Sequence, residues 1–127
     1  MTLSPYQFIG DFSVLGRAVA FVETRELGQG GPAIGYLQIG GVWVLNEAGQ
    51  RAEFGGPLLV QEPYLLAPLL QSFDFRLARL DVRTGRIVAK SAVREKLLLP
   101  ASADGDTVYY YNDLDNSQLK NCTLEAI

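Results

Sequence analysis

The chain has 127 residues, 48% of them hydrophobic and 20% charged, a size and composition that fit one folded domain and exclude a disordered chain. Its net charge is −3 and its basic residues are scattered, so the basic patch of a nucleic-acid-binding protein is absent and we expect no nucleic-acid partner. It contains no histidine, which excludes Ser-His-Asp and Cys-His catalytic systems and removes the commonest metal ligand.

Alternation of apolar and polar residues indicates short strands in the first half of the chain. The predicted strands cover residues 6–15, 17–25, 33–39, 42–45 and 50–54. Gly40-Gly41 predicts a type I′ or II′ hairpin, because both turns need positive φ. The Gly-Gln-Gly-Gly-Pro segment at residues 28–32 is typical of a loop.

Residues 58–70 combine three Leu-Leu pairs with two internal prolines. Proline lacks a backbone donor, so Pro63 and Pro68 argue against a long helix and against a central strand. Short edge strands or extended segments are therefore expected here.

The second half opens on a predicted strand in which Phe73, Phe75 and Leu77 share one face. Thr84-Gly85 predicts a hairpin turn in which Gly85 has a positive φ. Further strands are predicted for residues 86–91 and 107–112, and the segment 96–99 is short and apolar and ends at Pro100. The chain from about residue 113 is interpreted as a loose tail or a short helix.

Together these elements predict a mainly β fold in one domain spanning residues 1–127. About seven to nine short antiparallel strands would form a sandwich or a partly open barrel. A small α+β fold with one short helix is the alternative.

No segment carries the pattern of a cofactor or metal site. The glycines at 28–31 lack the spacing of a nucleotide-binding loop, and the acidic turns at 104–106 and 113–116 lack the ligand spacing of an EF-hand. Cys122 has no histidine partner and is interpreted as a structural or exposed thiol. We therefore expect no cofactor, no metal and no catalytic residue, so an enzyme is the less favoured interpretation.

A surface for a protein partner is predicted near the C-terminus. Its members are two tyrosines and four aspartates: Tyr109, Tyr111, Asp104, Asp106, Asp113 and Asp115. Tyr109 and Tyr111 share one face of a strand whose other face carries Tyr110, and Asp113 and Asp115 continue the alternation if the strand runs on. Aromatic anchors inside an acidic rim suit a basic partner. The alternative is that the aspartates only form turns and the tyrosines only cover the sheet.

A homo-oligomer interface is the second predicted surface. It comprises the leucines of the proline-interrupted segment: Leu58, Leu59, Leu65, Leu66, Leu69 and Leu70. If the prolines keep this segment out of the sheet centre, part of the leucine stays near the surface, where a contiguous apolar patch marks an interface. The alternative is that the segment folds back as an ordinary part of the core.

The remaining features concern the compartment and the function. A single cysteine cannot form an internal disulfide, the first residues lack a signal-peptide pattern, and the apolar stretch 58–70 is too interrupted to span a bilayer. We expect a cytoplasmic protein with no membrane partner. The function hypothesis is a non-catalytic protein-binding module, such as an inhibitor or immunity-type partner of another protein. The alternatives are a small-ligand or carbohydrate-binding β-domain and a carboxylate-dependent small enzyme.

Overall fold

The computed structural model describes residues 2–3, 12–26 and 32–127, and within them the regular structure consists of strands without a helix. The strands are β1 (Thr2–Leu3), β2 (Phe12–Val14), β3 (Arg17–Glu26), β4 (Ala33–Ile39), β5 (Val42–Trp43), β6 (Glu53–Phe54), β7 (Leu58–Gln61), β8 (Tyr64–Gln71), β9 (Asp74–Asp81), β10 (Arg86–Ser91), β11 (Leu99–Asp104), β12 (Thr107–Tyr111) and β13 (Lys120–Ala126). The mainly β prediction is confirmed. Of the strand predicted at 6–15 only the end is described, and the loop predicted at 28–32 lies, up to residue 31, outside the described residues.

These strands form one curled antiparallel sheet in the order β11–β12–β13–β10–β9–β8–β6–β4–β3–β2, with β7 and β1 added beside β8 and β5 beside β4. An isolated bridge between Leu45 and Arg86 joins the segment after β5 to the start of β10. Of the two predicted architectures, the sheet therefore adopts the partly open barrel. None of the described residues belongs to a helix of the length and apolarity needed to cross a bilayer.

The central strands β8 and β9 bury both of their faces. Leu65 belongs to one hydrophobic cluster, built mainly from β2 to β9, whereas Leu66 belongs to a second, built mainly from β8 to β13. Successive residues of a strand point to opposite faces, so a strand between two cores is apolar at nearly every position. This arrangement explains the unbroken apolar character of the leucine-rich segment.

The exposed leucine patch predicted for an oligomer interface is absent from residues 58–70, all of which the structure describes. Four of the six leucines are 0–1% exposed, and the other two are half-buried. The buried leucines are Leu58, Leu65, Leu66 and Leu69, and the half-buried ones are Leu59 and Leu70. These side chains fill the protein's own core, so the reason given for an interface here was wrong.

The prediction that the prolines exclude a central strand was also wrong. Pro68 lies inside β8 opposite Leu77 of β9, and its carbonyl accepts the Gly55 N–H at 2.9 Å on the other side. The proline nitrogen faces the same side as its carbonyl, where β8 changes partner from β7 to β6. The missing donor thus falls at a break in the ladder, where the loss is tolerated.

Residues 120–126 of the C-terminal region form a strand, β13, rather than a tail or a helix. β13 pairs with β10 on one side and β12 on the other. Cys122 and Leu124 of β13 are 4–5% exposed and pack in the second cluster. β13 therefore contributes directly to the core, whereas residues 114–119 before it are exposed.

Two predicted hairpin turns are confirmed by their backbone angles. Gly40 and Gly41 both have positive φ, as a type I′ turn requires, and Gly85 has a φ of 72°.

We expect Gly85→Val to lower the free energy of unfolding by about 1 kcal/mol or more, because a β-branched residue is strained at this φ. A Cβ at Gly85 would contact nothing within 4 Å, so backbone strain is the source of the loss. An unchanged urea midpoint would contradict this assignment.

Candidate functional site

The predicted tyrosine surface lies on the outer face of β12. Tyr109 and Tyr111 are half-buried there, while Tyr110 is 2% exposed on the core side. Asp104 of β11 lies directly opposite Thr107 of β12, which places it on the same face as the two tyrosines because opposed residues share a face. Asp104, Tyr109 and Tyr111 therefore share this face of the sheet, with Asp104 level with Thr107.

Asp106 is already engaged in holding the hairpin against the barrel. Its carboxylate accepts a hydrogen bond from the Arg79 guanidinium at 2.7 Å, and the same guanidinium donates to the Gly105 carbonyl at 2.7 Å. The Arg79 side chain is only 12% exposed. Asp106 thus has a structural contact, although it remains accessible.

Asp113 and Asp115 do not continue the strand, because β12 ends at Tyr111. The Asp113 carboxylate accepts hydrogen bonds from the Ser117 hydroxyl and, at 3.1 Å, from the Ser117 backbone N–H. These bonds hold the pKa of Asp113 below its ordinary value. The predicted continuation of the strand through Asp113 and Asp115 was wrong, because the Asp113 side chain hydrogen-bonds within a turn and aspartate favours such turns over an extended strand. Asp115 is exposed in the same turn.

Phe73 is a candidate binding residue that the sequence analysis assigned to a strand. It occupies the two-residue turn between β8 and β9, where Ser72 and Phe73 have φ values of 52° and 70°. Asparagine and glycine are the usual residues of such a turn, and a bulky side chain is strained in it. The ring is 78% exposed. A strained, exposed aromatic residue is the kind of outlier that points to function.

Glu95 links the Phe73 turn to the tyrosine strand. Its backbone pairs with that of Phe75 through hydrogen bonds of 2.7 and 2.9 Å, and its carboxylate accepts the Tyr110 hydroxyl at 2.6 Å. Since β9 begins and β12 ends on this side of the sheet, Phe73 and Tyr111 lie at the same sheet end. We call Phe73, Tyr109, Tyr111, Asp113 and Asp115 the turn-end surface.

A second polar–aromatic cluster lies on the outer face of β4 and β5. The Arg51 guanidinium lies 4.6 Å from the centre of the Trp43 ring and 4.9 Å from that of Tyr36, and Glu23 pairs with it at 3.3 Å. The two rings meet edge to face with centres 6.2 Å apart. No local pattern predicts this cluster, because its members come from separate strands and loops, and its one signal in the sequence is the single tryptophan.

A cleft of about 430 Å³ separates the 42–49 segment from the hairpin between β9 and β10. Its lining includes one carboxylate among the described residues, Glu47, which is paired with Lys90. The two facing carboxylates that a glycosidase-like enzyme needs are therefore not assembled in this cleft. No group of three potential metal ligands occurs among the residues that the structure describes.

The class defined by this geometry is a mainly β, partly open barrel with an exposed turn-end surface and a separate cleft. Comparisons with protein-family models, with curated proteins and with solved structures gave no match.

Proposed function

We propose that this chain is a non-catalytic protein-binding module, such as an inhibitor or immunity-type partner, and that it binds through the turn-end surface. The observation that carries the proposal is Phe73, an aromatic ring 78% exposed on a turn that disfavours it. Backbone strain of this kind clusters at functional sites, such as ligand clamps and active sites. Tyr109 and Tyr111 supply further aromatic area of the type found at interface hot spots.

The charges of this surface favour a basic partner. Asp113 and Asp115 form no ion pair within the described residues, and the whole chain carries a net charge of −3. Opposite charge would speed the encounter, while the buried aromatic rings would slow dissociation. Phe73 would then anchor one side of the interface and Tyr111 the other.

The change Phe73→Gly is expected to separate stability from binding. Glycine adopts a positive φ freely, so the free energy of unfolding should rise by about 1 kcal/mol while the anchor is lost. Urea unfolding of both proteins measures the first effect. A variant that is less stable than wild type would show that the Phe73 ring contributes to folding rather than to binding.

Binding is tested by capture from the native host with wild type, Phe73→Gly and Tyr111→Ala. Ile127→Ala is the control, because Ile127 is also exposed, at 60%. It directly follows the last residue of β13, whereas the first residue of β13 is level with Tyr110 and the turn-end surface. A partner held by wild type and the control should bind each test variant about 30-fold more weakly, as for a hot spot of about 2 kcal/mol. Asp113→Lys should slow association, more so at low salt. Identical capture by all variants would rule out this surface.

A further inference from the structure

The cleft between the 42–49 segment and the β9–β10 hairpin has an apolar floor open to solvent. Val42 is 57% exposed and Leu45 is 42% exposed, and half-buried Ile87 lines the opposite wall. The Leu45–Arg86 bridge joins the two walls. The volume of about 430 Å³ falls within the range of small-molecule sites.

Most polar groups of the cleft already have partners within the protein. The Asn46 side-chain oxygen accepts the N–H groups of Ala48 and Gln50, at 2.9 and 3.0 Å. The Thr84 hydroxyl oxygen accepts the Arg86 N–H at 3.3 Å. The Glu47 carboxylate is neutralised by Lys90. The cleft therefore has little free acceptor capacity for a sugar or another hydroxyl-rich ligand.

The cleft-lining side-chain groups of Arg86 and Asn46 that have no partner within the described residues are hydrogen-bond donors. Arg86 is exposed and forms no ion pair among the described residues, whereas the neighbouring Arg83 is paired with Asp81 at 3.1 Å. The Asn46 amide nitrogen likewise has no recorded partner in the described part of the chain. Arg86 lines the cleft together with Val42 and Leu45, and an unpaired guanidinium complements an anionic group on an apolar body.

We propose that this cleft binds a small organic anion with an apolar body, of the aromatic or aliphatic carboxylate class. The carboxylate pairs with Arg86, and the apolar body covers Val42 and Leu45. This site is separate from the turn-end surface and does not depend on the proposed protein partner. It is a binding site, and no chemical step is assigned to it.

The test uses 1-naphthoate and its neutral amide as probes of the intact chain. Trp43 lines the cleft and is the only tryptophan of the sequence, so a saturable change in its fluorescence reports occupancy. The carboxylate should bind at least about tenfold more tightly than the amide, because the amide loses the charge-assisted pair with Arg86.

Arg86→Gln should weaken naphthoate binding about tenfold and leave the amide unchanged. Arg94→Gln changes another exposed arginine, one that does not line the cleft, and this variant should bind both probes like wild type. Equal affinity for the carboxylate and the amide would overturn the proposal, and this comparison in the wild-type chain needs no variant to fold. A fluorescence change that does not saturate, or that survives Arg86→Gln unaltered, would also overturn it.

Discussion

Leu65→Ala and Leu66→Ala are each expected to lower the free energy of unfolding by about 2–5 kcal/mol. Both side chains are 0% exposed, although they are adjacent and point to opposite faces of β8. Each truncation opens a cavity in a different hydrophobic cluster. Two neighbouring residues of comparable large effect are the signature of a strand buried on both faces. Urea unfolding monitored by circular dichroism measures the loss.

The matched control is Leu119→Ala, because Leu119 is 52% exposed and its truncation should change stability by less than about 0.5 kcal/mol. Light scattering on the same samples distinguishes a core from an interface. If Leu65→Ala lost less than about 1 kcal/mol and dissociated an oligomer, the assignment of this residue to the core would fail.

Stability should fall above pH 9 because two acidic groups are buried in their neutral forms. Burial raises the pKa of the Cys122 thiol from 9.0 to about 11, a shift the nearby Ser91 hydroxyl opposes and Glu95 reinforces. Burial, and then the hydrogen bond to Glu95, raise the pKa of Tyr110 above its ordinary 10.0. In both groups the unfolded chain loses its proton first, so rising pH favours the unfolded state.

The contribution of the neutral Cys122 thiol to the free energy of unfolding is complete below pH 9 and is lost between pH 9 and pH 11. Its loss should amount to about 2–3 kcal/mol, and that of Tyr110 should begin near pH 10. Urea midpoints measured from pH 7 upward provide the curve. Cys122→Ala should flatten it between pH 9 and pH 10 and retain the Tyr110 part. A wild-type curve with no decline above pH 9 would contradict the burial of both groups.

Alternation along a single strand predicted the placement of the three tyrosines of β12 but not that of Phe73. The outward placement of Tyr109 and Tyr111, with Tyr110 in the core, follows from the alternation of a single strand. Phe73 shows the same apparent alternation with Phe75, yet it lies in the turn. Alternation indicates which residues share a face, but it does not locate the end of a strand. That position depends on the register between β8 and β9.

The sequence by itself determined the features that arise within a few residues. Glycine tolerates positive φ, so Gly40-Gly41 and Gly85 marked their turns, and alternating residues marked most strands and the mainly β class. Only the tertiary structure decided which apolar residues are core, because burial on both faces of β8 depends on sheet layers distant in the chain. The Arg51 cluster, the link through Glu95 and the cleft at Arg86 likewise depend on contacts between separate segments, which no local pattern encodes.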